Sequence, residues 1–158
     1  MSDAHDPDAA LPPDWPRRGR EAAVQMLYQW EVGRMTMPEV RRLFWQVGEA
    51  ADEGVHEQVR AFATRLADGT VEHLAAIDPL IEECSEHWRL ERMPVVDRII
   101  LRLAINELLH ERESPPAFVI NEALELTKRF SAPDAVRFVN GVLDAVRKRL
   151  IERGTLPA

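Results

Sequence analysis

Arg17, Arg18 and Arg20 crowd one turn of the stretch WPRRGREAAVQMLYQWE, residues 15 to 31. Pro16 sets them in the first turn of a helix, where partial positive charge prefers an acid or a bound anion. Each arginine there works against the helix, by roughly 0.3–1 kcal/mol. At about 100° per residue, Arg17 and Tyr28 fall within about 20° of each other, with Val24 about 40° and Arg20 about 80° from Tyr28. Ala23, Met26, Leu27 and Trp30 take the opposite, core-facing side. Guanidinium groups beside an exposed aromatic ring suit single-stranded RNA, where charge holds phosphates and the ring stacks a base. The competing reading is local: Arg17 and Arg18 pair with Asp14 and Glu21, and Tyr28 packs with its hydroxyl at the surface. The residues alone leave both open.

Catalytic and metal-binding patterns are weaker. Glu53 and His56 have the Glu-x-x-His spacing of di-iron bundles, but no second copy accompanies them. Cys84 and His87 lie one helical turn apart, half of a metal site with no second pair to complete it. A buried structural cysteine and an exposed histidine is the simpler expectation. The sequence carries no phosphate-binding loop, dinucleotide fingerprint, nucleophile elbow or zinc-protease motif. It reads as a binding protein rather than an enzyme, with no cofactor and no metal.

A chain of 158 residues, 46% hydrophobic and 30% charged, has apolar residues enough for a core of its own. Its single cysteine, Cys84, suits a reducing compartment. No apolar run reaches membrane-spanning length, and MSDAHDPDAA lacks the pattern of a signal peptide. The expectation is a soluble, cytoplasmic protein. The net charge of −7 argues against a general nucleic-acid coat but not against a local basic patch. Residues 1–79 hold 8 basic and 14 acidic groups, against 12 and 13 in residues 80–158. The arginine cluster thus stands in the more acidic half.

Helix signals follow one another along the chain. Residues 1–14 carry four aspartates and three prolines and read as a disordered acidic tail. Residues 15–153 read as one helical domain, and 154–158 as a short tail. Thr36 and Pro38 open a helix with Val40, Leu43, Phe44 and Val47 inward. A third covers about 54–75, with Val55, Val59, Phe62 and Leu66 inward. Asp78-Pro79 reads as a cap and first turn for a short helix through Leu80, Ile81 and Cys84. VVDRIILRLAINELL after Pro94 is apolar round most of its circumference, so it belongs at the centre. Ser114-Pro115 caps another, and Ser131 to Asp134 the last. No period-two alternation appears. The fold class expected is all-α, a compact bundle of six to seven helices.

In the last helix Val136, Val139, Leu143, Val146 and Leu150 make the core seam, and Phe138 falls off it, in line with Asp134, Gly141 and Ala145. Gly141 in mid-helix costs about 1 kcal/mol against alanine. Close approach by a neighbouring helix accounts for it, and so does a ligand beside an exposed Phe138. The basic run Arg147-Lys148-Arg149 follows from the helix dipole. Arg98 and Arg102 either pair with acids such as Asp97 or extend a basic surface.

RRGREAAVQMLYQWE resembles the arginine-rich motif and first helix of the NusB family of transcription antitermination factors. VVDRIILRLAINELL and PPAFVINEALELTKRFSAPDAVRFVNGVLDAV are similar to its C-terminal half. The resemblance covers roughly residues 17 to 147, and between 35 and 90 only helix spacing agrees. It implies an all-helical fold and binding of the boxA element of ribosomal RNA leader transcripts, together with the small-subunit ribosomal protein that serves as NusE. It further implies assembly with NusA, NusG and RNA polymerase to suppress premature termination. By position it assigns RNA contact to Arg17, Arg18, Arg20, Tyr28 and Phe138, and sets Asp134 beside that surface to tune affinity. Asp97 and Arg102 fall near the RNA and NusE surfaces. Gly19 stands where the family often has alanine, which predicts a first turn that frays until RNA binds. A NusB-like appendage of a ribosomal RNA methyltransferase would carry a long cofactor-binding domain after Pro157-Ala158, and this sequence has none. A protein-only helical adaptor, gripping an acidic partner through the arginines, is the alternative from another class.

Overall fold

The computed structural model describes residues 11–46, 55–86 and 88–158. Among them are seven α-helices: α1 Trp15–Glu31, α2 Met37–Leu43, α3 Glu57–Glu72, α4 Leu74–Cys84, α5 Val95–His110, α6 Pro116–Phe130 and α7 Ala135–Glu152. Short 3-10 turns occupy Phe44–Gln46 and Leu90–Arg92, and the described residues contain no strand. The all-α expectation holds. The chain forms two compact units, one ending at Arg65 and the other beginning at Leu66. Val47, Glu53, His87 and most of the acidic tail lie outside the described residues.

In the first unit, α1 buries Ala23, Val24, Met26 and Leu27. A complete capping box opens α2: Glu39 N–H donates to Thr36 Oγ1 and Thr36 N–H to the Glu39 carboxylate. Met37, Val40 and Phe44 face inward, whereas Leu43, expected there, is exposed. Val59, Phe62 and Ala63 complete the apolar interior of this unit.

The second unit is built on α5, which packs against α4, α6 and α7. Ile99, Ile100, Leu101, Leu103, Ala104, Ile105 and Leu108 are all buried, as the nearly continuous apolar run demands. The seam of α7 holds at Val139, Leu143, Val146 and Leu150, with Val136 half-buried and Val142 joining it.

The joints depart from expectation. Asp78-Pro79 does not start a helix: α4 begins at Leu74, one residue after α3, and Pro79 lies inside it. Asp78 is instead one half of a two-bond ion pair, accepting from Arg102 Nε at 2.9 Å and Nη2 at 3.1 Å. Ser114 caps nothing, because α6 begins at Pro116 with Pro115 at the cap position. Ser131 donates its hydroxyl to Asp97 Oδ1 at 2.5 Å rather than capping α7, and Asp134 makes no capping bond. Asp78 and Ser131 thus spend their polarity on tying neighbouring helices.

The last residues are not a loose tail. Gly154, at φ +74°, supplies the left-handed residue of a Schellman motif, in which Gly154 N–H bonds Ile151 O and Thr155 N–H bonds Leu150 O. Leu156 is then buried, and Arg112 donates to the Thr155 carbonyl at 3.1 Å. The basic run before it is largely neutralised: Arg149 and Arg153 both reach Glu83 of α4, at 2.9 and 3.0 Å, and Lys148 pairs with Asp144.

Two predictions follow from packing. A Cβ on Gly141 would meet nothing within 4 Å, so no neighbouring helix explains this glycine. Gly141→Ala is therefore expected to raise stability by up to about 1 kcal/mol, a Tm increase of about 2–4 °C; a lowered Tm would reveal hidden crowding. Asp78→Ala removes a two-bond partner of the Arg102 guanidinium, whose side chain is only 12% exposed. It should cost about 1–3 kcal/mol in denaturant unfolding, and an unchanged midpoint would show the pair to be idle.

Candidate nucleic-acid interface

The arginine cluster splits in two. Arg17 and Arg18 are exposed, whereas Arg20 is only 2% exposed. The cause is Phe62 of α3. Its ring meets Trp15 edge-on at 5.5 Å between centroids, and the Arg20 guanidinium lies over it at 5.4 Å. Gly19 faces the same ring so closely that a Cβ there would come within 2.5 Å of Phe62 Cδ1. Two expectations are corrected here. Arg20 does not share an open face with Tyr28, because α1 is rotated to bury it; Val24, closer still to Tyr28 by angle, is also buried. Gly19 does not mark a frayed turn: it is the gap into which the Phe62 ring fits, and the turn is packed.

Arg18 Nε donates to Asp14 at 3.1 Å, so part of the local-pairing reading holds. Both side chains are more than half exposed, which makes this i,i+4 pair worth about 0.3–0.5 kcal/mol, little for a polyanion to displace. Tyr28 is 45% exposed, three turns further along the same helix. The first unit therefore offers two exposed guanidinium groups at a helix N-terminus and one exposed phenol ring.

In the second unit Phe138 is half-buried rather than exposed. The Trp88 ring lies 6.0 Å from it, tilted by 54°. Trp88 is itself 54% exposed. Sequence reasoning passed over it, since it sits between helices where apolar periodicity gives no signal; the only hint was a large aromatic flanked by charge in EHWRLER. Asp134, Arg137, Asn140 and Gly141 are exposed along the same helix as Phe138.

Asp97 and Arg102 are not surface groups. Asp97 is 3% exposed and accepts the Ser131 hydroxyl, and Arg102 has its fork on Asp78. Arg98 donates through Nη1 to the carbonyls of Leu90 and Met93, at 2.9 and 3.2 Å, and so braces the turn before α5. Each stabilises the frame from which Trp88 and Phe138 project.

Among the described residues no group of three or more histidine, cysteine, aspartate or glutamate side chains is arranged to hold a metal. Cys84 is half-buried; burial raises its thiol pKa and weakens it as a nucleophile. His73 and His110 stack at 3.7 Å, with His73 Nδ1 at 3.3 Å from Asn106 Oδ1. Burial, and then His73, push His110 below the ordinary histidine range, which favours its neutral form. No catalytic grouping emerges from them.

The chain has clear relatives. The NusB family model matches residues 17–148. The transcription antitermination protein NusB of Koribacter versatilis is 44% identical over 134 residues, 85% of this chain and 89% of that protein. The solved NusB of T. maritima superposes with a TM-score of 0.73 at 38% identity, covering 84% of this chain and 90% of that one. A NusB solved with NusE and double-stranded RNA superposes at 0.74 with 27% identity, covering 87% of this chain and 99% of its own. With a family model spanning most of its length and relatives at this identity over nearly their whole chains, the chain belongs to the NusB family.

Proposed function

We propose that this protein is a transcription antitermination factor that binds the boxA element of ribosomal RNA leader transcripts together with NusE. In the assembly it joins RNA polymerase with NusA and NusG and helps the polymerase resist premature termination. The observation that carries the reading is the exposed pair Arg17 and Arg18 at the N-terminus of α1, which the helix dipole opposes and an arriving phosphate would relieve. The related structure solved with NusE and double-stranded RNA supports NusE and RNA as partners.

In this reading Arg17 and Arg18 hold phosphates, and Tyr28 and Phe138 offer ring faces to bases. Asp134, exposed at the start of α7, tunes affinity by repelling the backbone. Arg20 acts indirectly, fixing the first turn through Phe62, and Arg102 and Asp97 hold helices in place. The exposed Tyr28 ring favours single strands, because paired bases hide their faces. A protein-only adaptor would use the arginines but leave Tyr28 unexplained. The protein acts by binding and performs no chemistry.

The test is affinity for a boxA single strand, a scrambled strand and a boxA duplex, each with and without NusE. A preference for the boxA single strand that strengthens with NusE is expected, and equal weak binding to all three would refute the reading. Tyr28→Ala should lose about 1–3 kcal/mol of RNA affinity with Tm and salt dependence unchanged. A fall in Tm instead would make Tyr28 a packing residue.

A further inference from the structure

We propose that Trp88 is an additional nucleobase-stacking residue, forming with Phe138 a two-ring shelf for an unpaired base of single-stranded RNA. The inference rests on the RNA-binding reading above and adds a residue and a place to it. Trp88 is the most exposed large apolar side chain among the described residues. Its indole contributes little to the interior, because Leu90 and Met93 already fill the inward positions of its joint.

The joint is nevertheless braced. Ser85, 3% exposed, donates its hydroxyl to the Trp88 carbonyl at 2.9 Å, and Trp88 N–H donates to Ser85 O at 3.1 Å. Between them Glu86 holds φ at +49°, a left-handed conformation that non-glycine residues rarely adopt. Two residues beyond Trp88, Arg98 fixes the Leu90 carbonyl. An exposed indole on a residue whose backbone N–H and carbonyl are both hydrogen-bonded loses less conformational entropy when a flat ligand settles on it.

The surroundings select the kind of ligand. A tryptophan anchoring a protein partner normally sits within an apolar, desolvated ring. Here the exposed neighbours along the chain are largely polar: Arg89 and Arg92 with Glu86 and Glu91 around Trp88, and Arg137, Asn140 and Gly141 with Asp134 around Phe138. Gly141 lies one turn from Phe138, with open space over its backbone. Guanidinium groups, an amide and a bare helix flank suit a polyanion that brings a π face. A base stacked on the indole has the Phe138 ring beside it, 6.0 Å from the indole.

The test compares Trp88→Phe, Trp88→Leu and Trp88→Ala in the full chain, with labelled boxA single strand, NusE and a salt series, alongside thermal unfolding. Trp88→Ala and Trp88→Leu should weaken RNA binding about 5- to 100-fold with the salt slope unchanged, while Trp88→Phe keeps most of the affinity. If truncation also lowers Tm, the contrast between Phe and Leu still decides: equal affinities overturn the proposal. RNA binding at parent strength by Trp88→Ala overturns it and leaves the wider reading standing. Loss of NusE affinity measured without RNA, at intact RNA affinity, would make the residue a protein contact and overturn it too. A parent chain that binds no RNA overturns both readings.

Discussion

The fit of Phe62 against the first turn of α1 is the contact on which the arginine motif depends. The ring needs a glycine to approach, and Gly19 provides it; it takes the Arg20 guanidinium on its face and the Trp15 ring at its edge. Arg65 lies over the same ring at 5.3 Å. These contacts set the rotation of the helix, and rotation decides which arginines reach water. Arg17 and Arg18 do, and Arg20 does not. Three arginines that read as one cluster therefore divide into a surface pair and a positioning residue. The first turn of α1 is thus packed by the protein itself.

The second unit manages a different constraint. Its central helix is so apolar that hydrophobic burial alone would tolerate several rotations and slides. Polar ties select one of them. Arg102 on Asp78 joins α5 to α4, Ser131 on Asp97 joins it to the turn before α7, and the fork of Glu83 with Arg149 and Arg153 joins α4 to α7. Gly69 lets the Asn106 amide pack 3.1 Å from where its Cβ would stand. With α7 pinned in this way, its off-seam flank of Phe138 and Gly141 stays clear of other helices.

Helices were legible because burial on one side imposes a 3.6-residue period, and the cores of α1, α5 and α7 fell where the apolar residues predict. Joints were less legible. Asp78, Ser114 and Ser131 carry the chemistry of caps, yet two of them bond to side chains 24 and 34 residues away, which local pattern does not report. Arg20 was misplaced for the same reason: helical angle gives its direction, but only Phe62, 42 positions later in the chain, shows that direction to be occupied. Trp88 escaped notice because it belongs to no periodic element. The resemblance that pointed to RNA was readable in three stretches of sequence, whereas the division of labour among the residues was not.

The central claim is that the arginine motif divides into phosphate-binding and positioning residues. The direct measurement is the salt dependence of boxA affinity for Arg17→Ala/Arg18→Ala and for Arg20→Ala, each with its thermal unfolding curve. The account predicts that the double variant keeps its Tm and loses about 1.4 from the log–log slope, about 0.7 for each single-strand phosphate contact. Arg20→Ala should lower Tm and leave the slope of the folded protein nearly unchanged. A loss of slope in Arg20→Ala equal to that of a surface arginine, at unaltered Tm, would contradict it.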